Sequence, residues 1–236
     1  MSASKATFAC FIVFACLALS MAATTANAVA IPYTDSGWWD DTGFSTDLSF
    51  SNYVAGTWQC NPPYCDPARP ALTRNFFVFD LTGVGTVTSA TLRLSTEASW
   101  AGTYSIWDVH TAIPTLRAPG LGNTAVFDDL GTGNTYGSIG LIATAAPGVI
   151  IEIELTAAAL ASINAKDGCT PAPSVDCLWA IGGSFDPEIP GLFAFGNSGL
   201  GVRELVYSTS VPEPTTALLL ACGLVGLAAA HRRRLN

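Results

Sequence analysis

Two histidines, His110 and His231, are all that this 236-residue chain offers a reaction needing a base near neutral pH. A Ser-His-Asp hydrolase places such a base beside its nucleophile. His231 stands among arginines near the C-terminus, and His110 closes the strand-like stretch TYSIWDVHT (103–111). There is no G-x-S-x-G elbow; the nearest match, GGSFD (182–186), lacks the closing glycine. Glycosidases face two carboxylates across a cleft. Glu152 and Glu154 are two residues apart in VIIEIEL (149–155). On a strand that spacing points both the same way, as on a solvated face. GVGTVTSA (83–90) is a glycine turn between two strands, with no helix to aim at a phosphate. The expectation is a non-enzyme with no catalytic residue and no cofactor.

Hard cations are the next possibility, since carboxylates and carbonyls hold calcium. Asp128 and Asp129 in VFDDLGTGN, and the stretch DSGWWDD (35–41), are weak calcium candidates without EF-hand spacing. Turn and cap roles compete for the same residues, and no metal is expected. Of seven cysteines, Cys60, Cys65, Cys169 and Cys177 lie in the body of the chain. They allow three connectivities. The proline-rich loops CNPPYC (60–65) and CTPAPSVDC (169–177) favour local disulfides over a zinc site, for want of a paired histidine. Trp38 and Trp39 sit with Tyr53, Trp58 and Tyr64 in the first third. Such rings either fill a core or, if exposed, stack on sugars.

What positions these residues is a run of short strands. RNFFVFDLT (74–82), TVTSATLRLST (86–96), TYSIWDVHT, VIIEIEL, CLWAIGG (177–183), GLFAFG (191–196) and VRELVYST (202–209) are each bounded by turn residues. In the second, Val87, Ala90, Leu92 and Leu94 alternate with polar neighbours. In the third, Tyr104, Ile106 and Asp108 share one face, and Ser105, Trp107 and Val109 the other. TAAALASINA (156–165) predicts one short helix with Thr156 as N-cap. Segments 114–124 and 131–140 read as Gly/Pro/Asn loops. The fold expected is mainly β: an antiparallel β-sandwich of jelly-roll type with one short helix, a signal helix before it and a transmembrane helix after it.

The two ends are different in kind. Residues 8–21, FACFIVFACLALSM, are uncharged, follow Lys5 and precede a small-residue stretch. That order marks a secretory signal peptide over residues 1–28, cut after Ala28, with Ala30 as second choice. The body, 31–210, carries six cations (Lys166 and five Arg) against seventeen carboxylates, a net charge of −11. So acidic a domain is not a nucleic-acid binder. The tail, 211–236, opens with Val211-Pro212-Glu213-Pro214, which keeps the chain extended and Glu213 accessible. Thr215–Ala230 then form sixteen uncharged residues. As a helix they reach about 24 Å, short of the roughly 30 Å hydrocarbon layer. His231 and Arg232, Arg233 and Arg234 complete a basic cap, which the positive-inside tendency holds in the cytoplasm. A readable motif, a marginal span and a basic stop make a temporary hold while a peptidase reaches the motif.

This tail resembles the PEP-CTERM sorting domain of Gram-negative bacteria on Val211–Pro214, the apolar Ala217–Ala230 and Arg232–Arg234. The resemblance implies recognition by an exosortase, a transpeptidase-like membrane enzyme, for which the tail is substrate. Pro212, Glu213 and Pro214 carry over as the recognition motif. FFVFDLTGVGTVTSATLRL (76–94), DDLGTGNTYGS (128–138) and WAIGGSF (179–185) are similar to ectodomains found ahead of such tails. The paired FDL and SATLRL strands also resemble jelly-roll domains, some of which bind polysaccharide. The resemblance therefore implies an exported protein, held in the inner membrane as a precursor. Its mature form would lie in the cell envelope or extracellular matrix, in a structural or adhesive role. A carbohydrate-binding module for exopolysaccharide is the alternative, and a glycan-active enzyme ranks below both.

Overall fold

The computed structural model describes residues 28–45, 53–60, 69–96, 101–143, 148–169, 177–186, 191–195, 201–209 and Gly223, with the side chains of 58–60 and 191–195 excepted. The signal segment up to residue 27, Cys65 and the tail 211–236, Gly223 aside, lie outside the described residues. Residues 28–209 form one compact unit.

Its strands are β1 (Ala28–Asp40), β2 (Tyr53–Cys60), β3 (Arg69–Asp80), β4 (Val87–Thr96), β5 (Gly102–Asp108), β6 (Thr135–Leu141), β7 (Val149–Glu154), β8 (Leu178–Asp186), β9 (Gly191–Phe195) and β10 (Arg203–Thr209). Every pairing among them is antiparallel. They follow one path, β6-β5-β8-β3-β1-β10-β4-β7, with β2 also paired to β3 and β9 paired to β2. Mainly antiparallel β is thus the architecture, as the alternation predicts. The sheet is one nearly closed, barrel-like surface, and the reason lies in β1. Its first residues, Ala28–Pro32, pair with β10, and Tyr33–Asp40 pair with β3. A register shift between Tyr33 and Asp35 bends the strand between the two partners.

Near-closure needs β6 against β7. A Cβ at Gly137 of β6 would stand 2.8 Å from the Glu154 carbonyl oxygen, so a glycine is what the approach admits. The Thr156 amide donates to the Tyr136 carbonyl at 2.8 Å across the same seam.

The interior is filled from all sides. Phe77 and Phe79 of β3, Leu92 and Leu94 of β4, Tyr104 and Ile106 of β5, Ile181 of β8 and Leu205 of β10 form one core cluster, each at most 1% exposed. On β7, Ile151 and Ile153 face this core while Glu152 and Glu154 face water, as the spacing requires. Arg93 bridges Glu152 at 3.0 Å and also pairs with Glu204.

Three helices are described: α1 (Ile113–Arg117), α2 (Thr124–Asp129) and α3 (Ala157–Asn164). The last is the helix expected from the sequence, and its N-cap is Thr156, whose hydroxyl accepts from the Ala159 amide. Asn164 ties α3 to the start of β4, accepting from the Val87 amide at 2.7 Å and donating to its carbonyl at 3.0 Å. Just beyond, a disulfide joins Cys169 to Cys177 at the entry to β8. Two loop expectations are corrected. Segment 114–124 holds most of α1 and the start of α2, and segment 131–140 holds most of β6. Their glycines and prolines do not all mark turns: Pro114 occupies the first turn of α1, where no amide partner is needed.

Candidate functional site

The sequence-expected residues separate sharply by surroundings. Trp38 is 7% exposed and Trp39 1%, so neither presents an open face to a sugar, which corrects the stacking expectation. Trp39 donates from Nε1 to the Leu116 carbonyl at 3.1 Å and packs with Phe76, Val78, Phe127 and Leu130. This second cluster sits on the outer face of β1, β3 and β8, where α1 and α2 cover it. Trp39 therefore fills the space between sheet and helices, whereas the Trp38 ring lies 6.1 Å from that of Phe44, centre to centre. Tyr53 is also buried, its hydroxyl donating to the Ser95 carbonyl at 3.0 Å.

Apart from Asp128, the calcium candidates are occupied by structural bonds. One Asp129 carboxylate oxygen accepts from the amides of His110 and Thr111 and from the Thr111 hydroxyl, at 2.7–3.0 Å. Asp40, 1% exposed, accepts from the Thr42 amide and hydroxyl and the Phe44 amide through Oδ1, and from Arg69 through Oδ2 at 2.8 Å. Asp41 meets the same arginine at 3.0 Å. Asp35 pairs with Arg117 at 2.8 Å; burial pushes its carboxyl up, against the pull of the guanidinium. Asp128 is exposed, and its backbone carbonyl accepts from Arg74 and the Thr132 hydroxyl. Among the described residues no three His, Cys, Asp or Glu side chains converge as a metal site. His110 is exposed, 3.5 Å from an Asp108 carboxylate that Asn134 already holds with its amide and side chain.

What sequence reasoning missed is a cleft of about 410 Å³ on the outer face of β3, β5 and β8, beside the helical cover. Trp107, Arg74, Ser184 and Asp186 line it, with Leu72 and Gly131. The alternation of β5 puts Trp107 opposite the buried Tyr104 and Ile106, so the signal was present. What was invisible was the partner set, since Arg74 and Asp186 are 112 positions apart in the chain. The indole is half-buried, and its Nε1 donates to Ser184 Oγ at 2.8 Å. Arg74 donates to the Phe127 and Asp128 carbonyls at 3.0 and 3.2 Å, with its Cζ 4.2 Å from the centre of the Phe127 ring. Asp186 is exposed at the end of β8.

Val211, Pro212, Glu213, Pro214, Arg232, Arg233 and Arg234 lie outside the described residues, as does Cys65, and no side-chain description covers Cys60. Strand β10 ends at Thr209, two positions before the motif. Among the described residues no helix is long and apolar enough to cross a membrane. No curated protein matches the chain. Residues 210–234 match the model of the PEP-CTERM protein-sorting motif, which covers the extended motif, the apolar run and the three arginines together, and the chain is accordingly an exported protein carrying the signal that an exosortase processes.

Proposed function

We propose that this protein is a non-catalytic component of the cell envelope or extracellular matrix, delivered there by its tail. The match over residues 210–234 carries the reading. The signal peptide opens export and is cut after Ala28. Strand β1 supports that boundary over the later one. A cut after Ala28 removes only the terminal pair of Ala28 with Ser208, whereas a cut after Ala30 would also remove Val29 and Ala30, which pair with Tyr207 and Val206. The apolar run then holds the precursor in the inner membrane, with Arg232–Arg234 in the cytoplasm, until the exosortase acts at the Val211–Pro214 motif. An acidic β-body in which Asp35, Asp40, Asp129, Glu152 and Glu204 serve turns and ion pairs supports a structural or adhesive role. A carbohydrate-binding role is the second reading, and the cleft at Trp107 favours it.

Fractionation of cells with and without the exosortase tests the delivery. The expected result is protein in the envelope or matrix when the enzyme is present and full-length protein in the inner membrane when it is absent. The same membrane-bound form in both strains would contradict it.

A further inference from the structure

We propose that the cleft between β3, β5 and β8 binds one pyranose unit of a neutral polysaccharide, an inference that deepens the second reading and rests on it for its biological setting. The chemistry of the lining selects the ligand class. A pyranose has an apolar C–H face and a rim of hydroxyls. The cleft offers the flat Trp107 ring and the Leu72 side chain beside a guanidinium, a carboxylate and a hydroxyl from Arg74, Asp186 and Ser184. Small-molecule sites span roughly 300–1,000 Å³, a range that includes this volume of about 410 Å³, and the lining here is more polar than apolar, which suits a ligand rich in hydroxyls.

The lining is also preorganised. The hydrogen bond from Trp107 Nε1 to Ser184 Oγ sets the plane of the indole before any ligand arrives. Arg74 is held by two carbonyls and the Phe127 ring. Gly131 leaves it room, since a Cβ there would lie 2.5 Å from the guanidinium carbon. Groups fixed in advance lose little freedom on binding. The ligand is neutral because the body carries a net charge of −11, which repels polyanions. At the cleft itself Asp186 offsets the charge of Arg74, so the lining presents no net cation to a uronate.

The test uses the full-length chain in a zwitterionic detergent without a sugar headgroup, titrated calorimetrically with cellopentaose, maltopentaose, chitopentaose and a galacturonate pentamer. At least one neutral pentamer is expected to bind saturably, with a Kd below about 1 mM. Trp107→Ala should weaken that binding at least tenfold and Trp107→Phe should retain most of it. Asp186→Asn, at an exposed position, should weaken it several-fold with an unchanged melting temperature. No saturable binding of any neutral pentamer, tightest binding of the galacturonate, or binding indifferent to both Trp107→Ala and Asp186→Asn would overturn the proposal. Tail processing in cells is followed for the same variants. Lost sugar binding with normal processing in Trp107→Ala supports the cleft, whereas absent sugar binding in the wild type with normal processing overturns the cleft alone and leaves the delivery intact.

Discussion

At the scale of single residues, the acidic side chains of this protein divide by burial, and the division predicts their worth. Asp40 and Asp41 are neighbours on one arginine. Asp40 is withdrawn from water and satisfies three turn donors besides Arg69, whereas the Asp41 side chain is 41% exposed. Removing a buried carboxylate leaves its donors unpaired and a half-buried cation behind, a loss of about 3 kcal/mol. Removing an exposed ion-pair partner costs less than about 1 kcal/mol. Asp40→Ala should therefore lower Tm by roughly 6–12 °C and Asp41→Ala by no more than about 4 °C, read by thermal unfolding. Equal losses would show that the ion pair, and not the turn, is what matters there. The same bonds explain why DSGWWDD looks like a cation site in sequence: a carboxylate that gathers turn amides and one that gathers calcium are the same residue type until the donors are known.

At the scale of elements, adjacent glycines in β8 fit the strand to both of its faces. A Cβ at Gly182 would lie 2.6 Å from the Leu130 carbonyl oxygen and 2.7 Å from its Cα, on the side where α2 docks. A Cβ at Gly183 would lie 2.0 Å from the Tyr104 hydroxyl and 2.2 Å from Asn75 Oδ1, whose hydrogen bond spans the interior at 2.7 Å. Gly182→Ala and Gly183→Ala should each destabilise by about 1–3 kcal/mol, because backbone or buried side chains must move. Gly85→Ala, with nothing within 4 Å of the new atom, should stay within about 0.5 kcal/mol of wild type. Denaturant unfolding of the three variants checks this, and a neutral Gly182→Ala would refute the tight docking of α2. Legibility in the sequence follows the same physics. β4 and β7 were readable because one face of each is apolar and the other polar. α3 was readable from its alanines and its threonine cap. β6 was not, because TYGSIGL has glycine at 137, where it approaches β7, and again at 140, and so loses the alternation. β1 was not, because it serves two partners and includes Pro32, Gly37 and a bulge. Trp39 is legible in the sequence as an aromatic only; its burial depends on α1 and α2, which the loop-like composition of 114–124 conceals.

At the scale of the whole molecule, the fold is closed by its ends. β10, the last strand, lies between β1, the first, and β4, and Val29 pairs with Tyr207. Such long-range pairing forms late, since the loop must close before its contacts form. The barrel-like body cannot be complete until residues 203–209 have been exported, and the motif begins two positions later. The proposed membrane hold, placed just after β10 in the sequence, would give the final strand time to insert before the tail is cut. The sixteen uncharged residues of the run suit that purpose better than a permanent span. The most direct measurement is the intact mass of the protein recovered from cells that contain the exosortase. The account predicts a chain that starts at Val29 and ends upstream of Arg232, without the basic cap. A mass equal to Val29–Asn236 would contradict it.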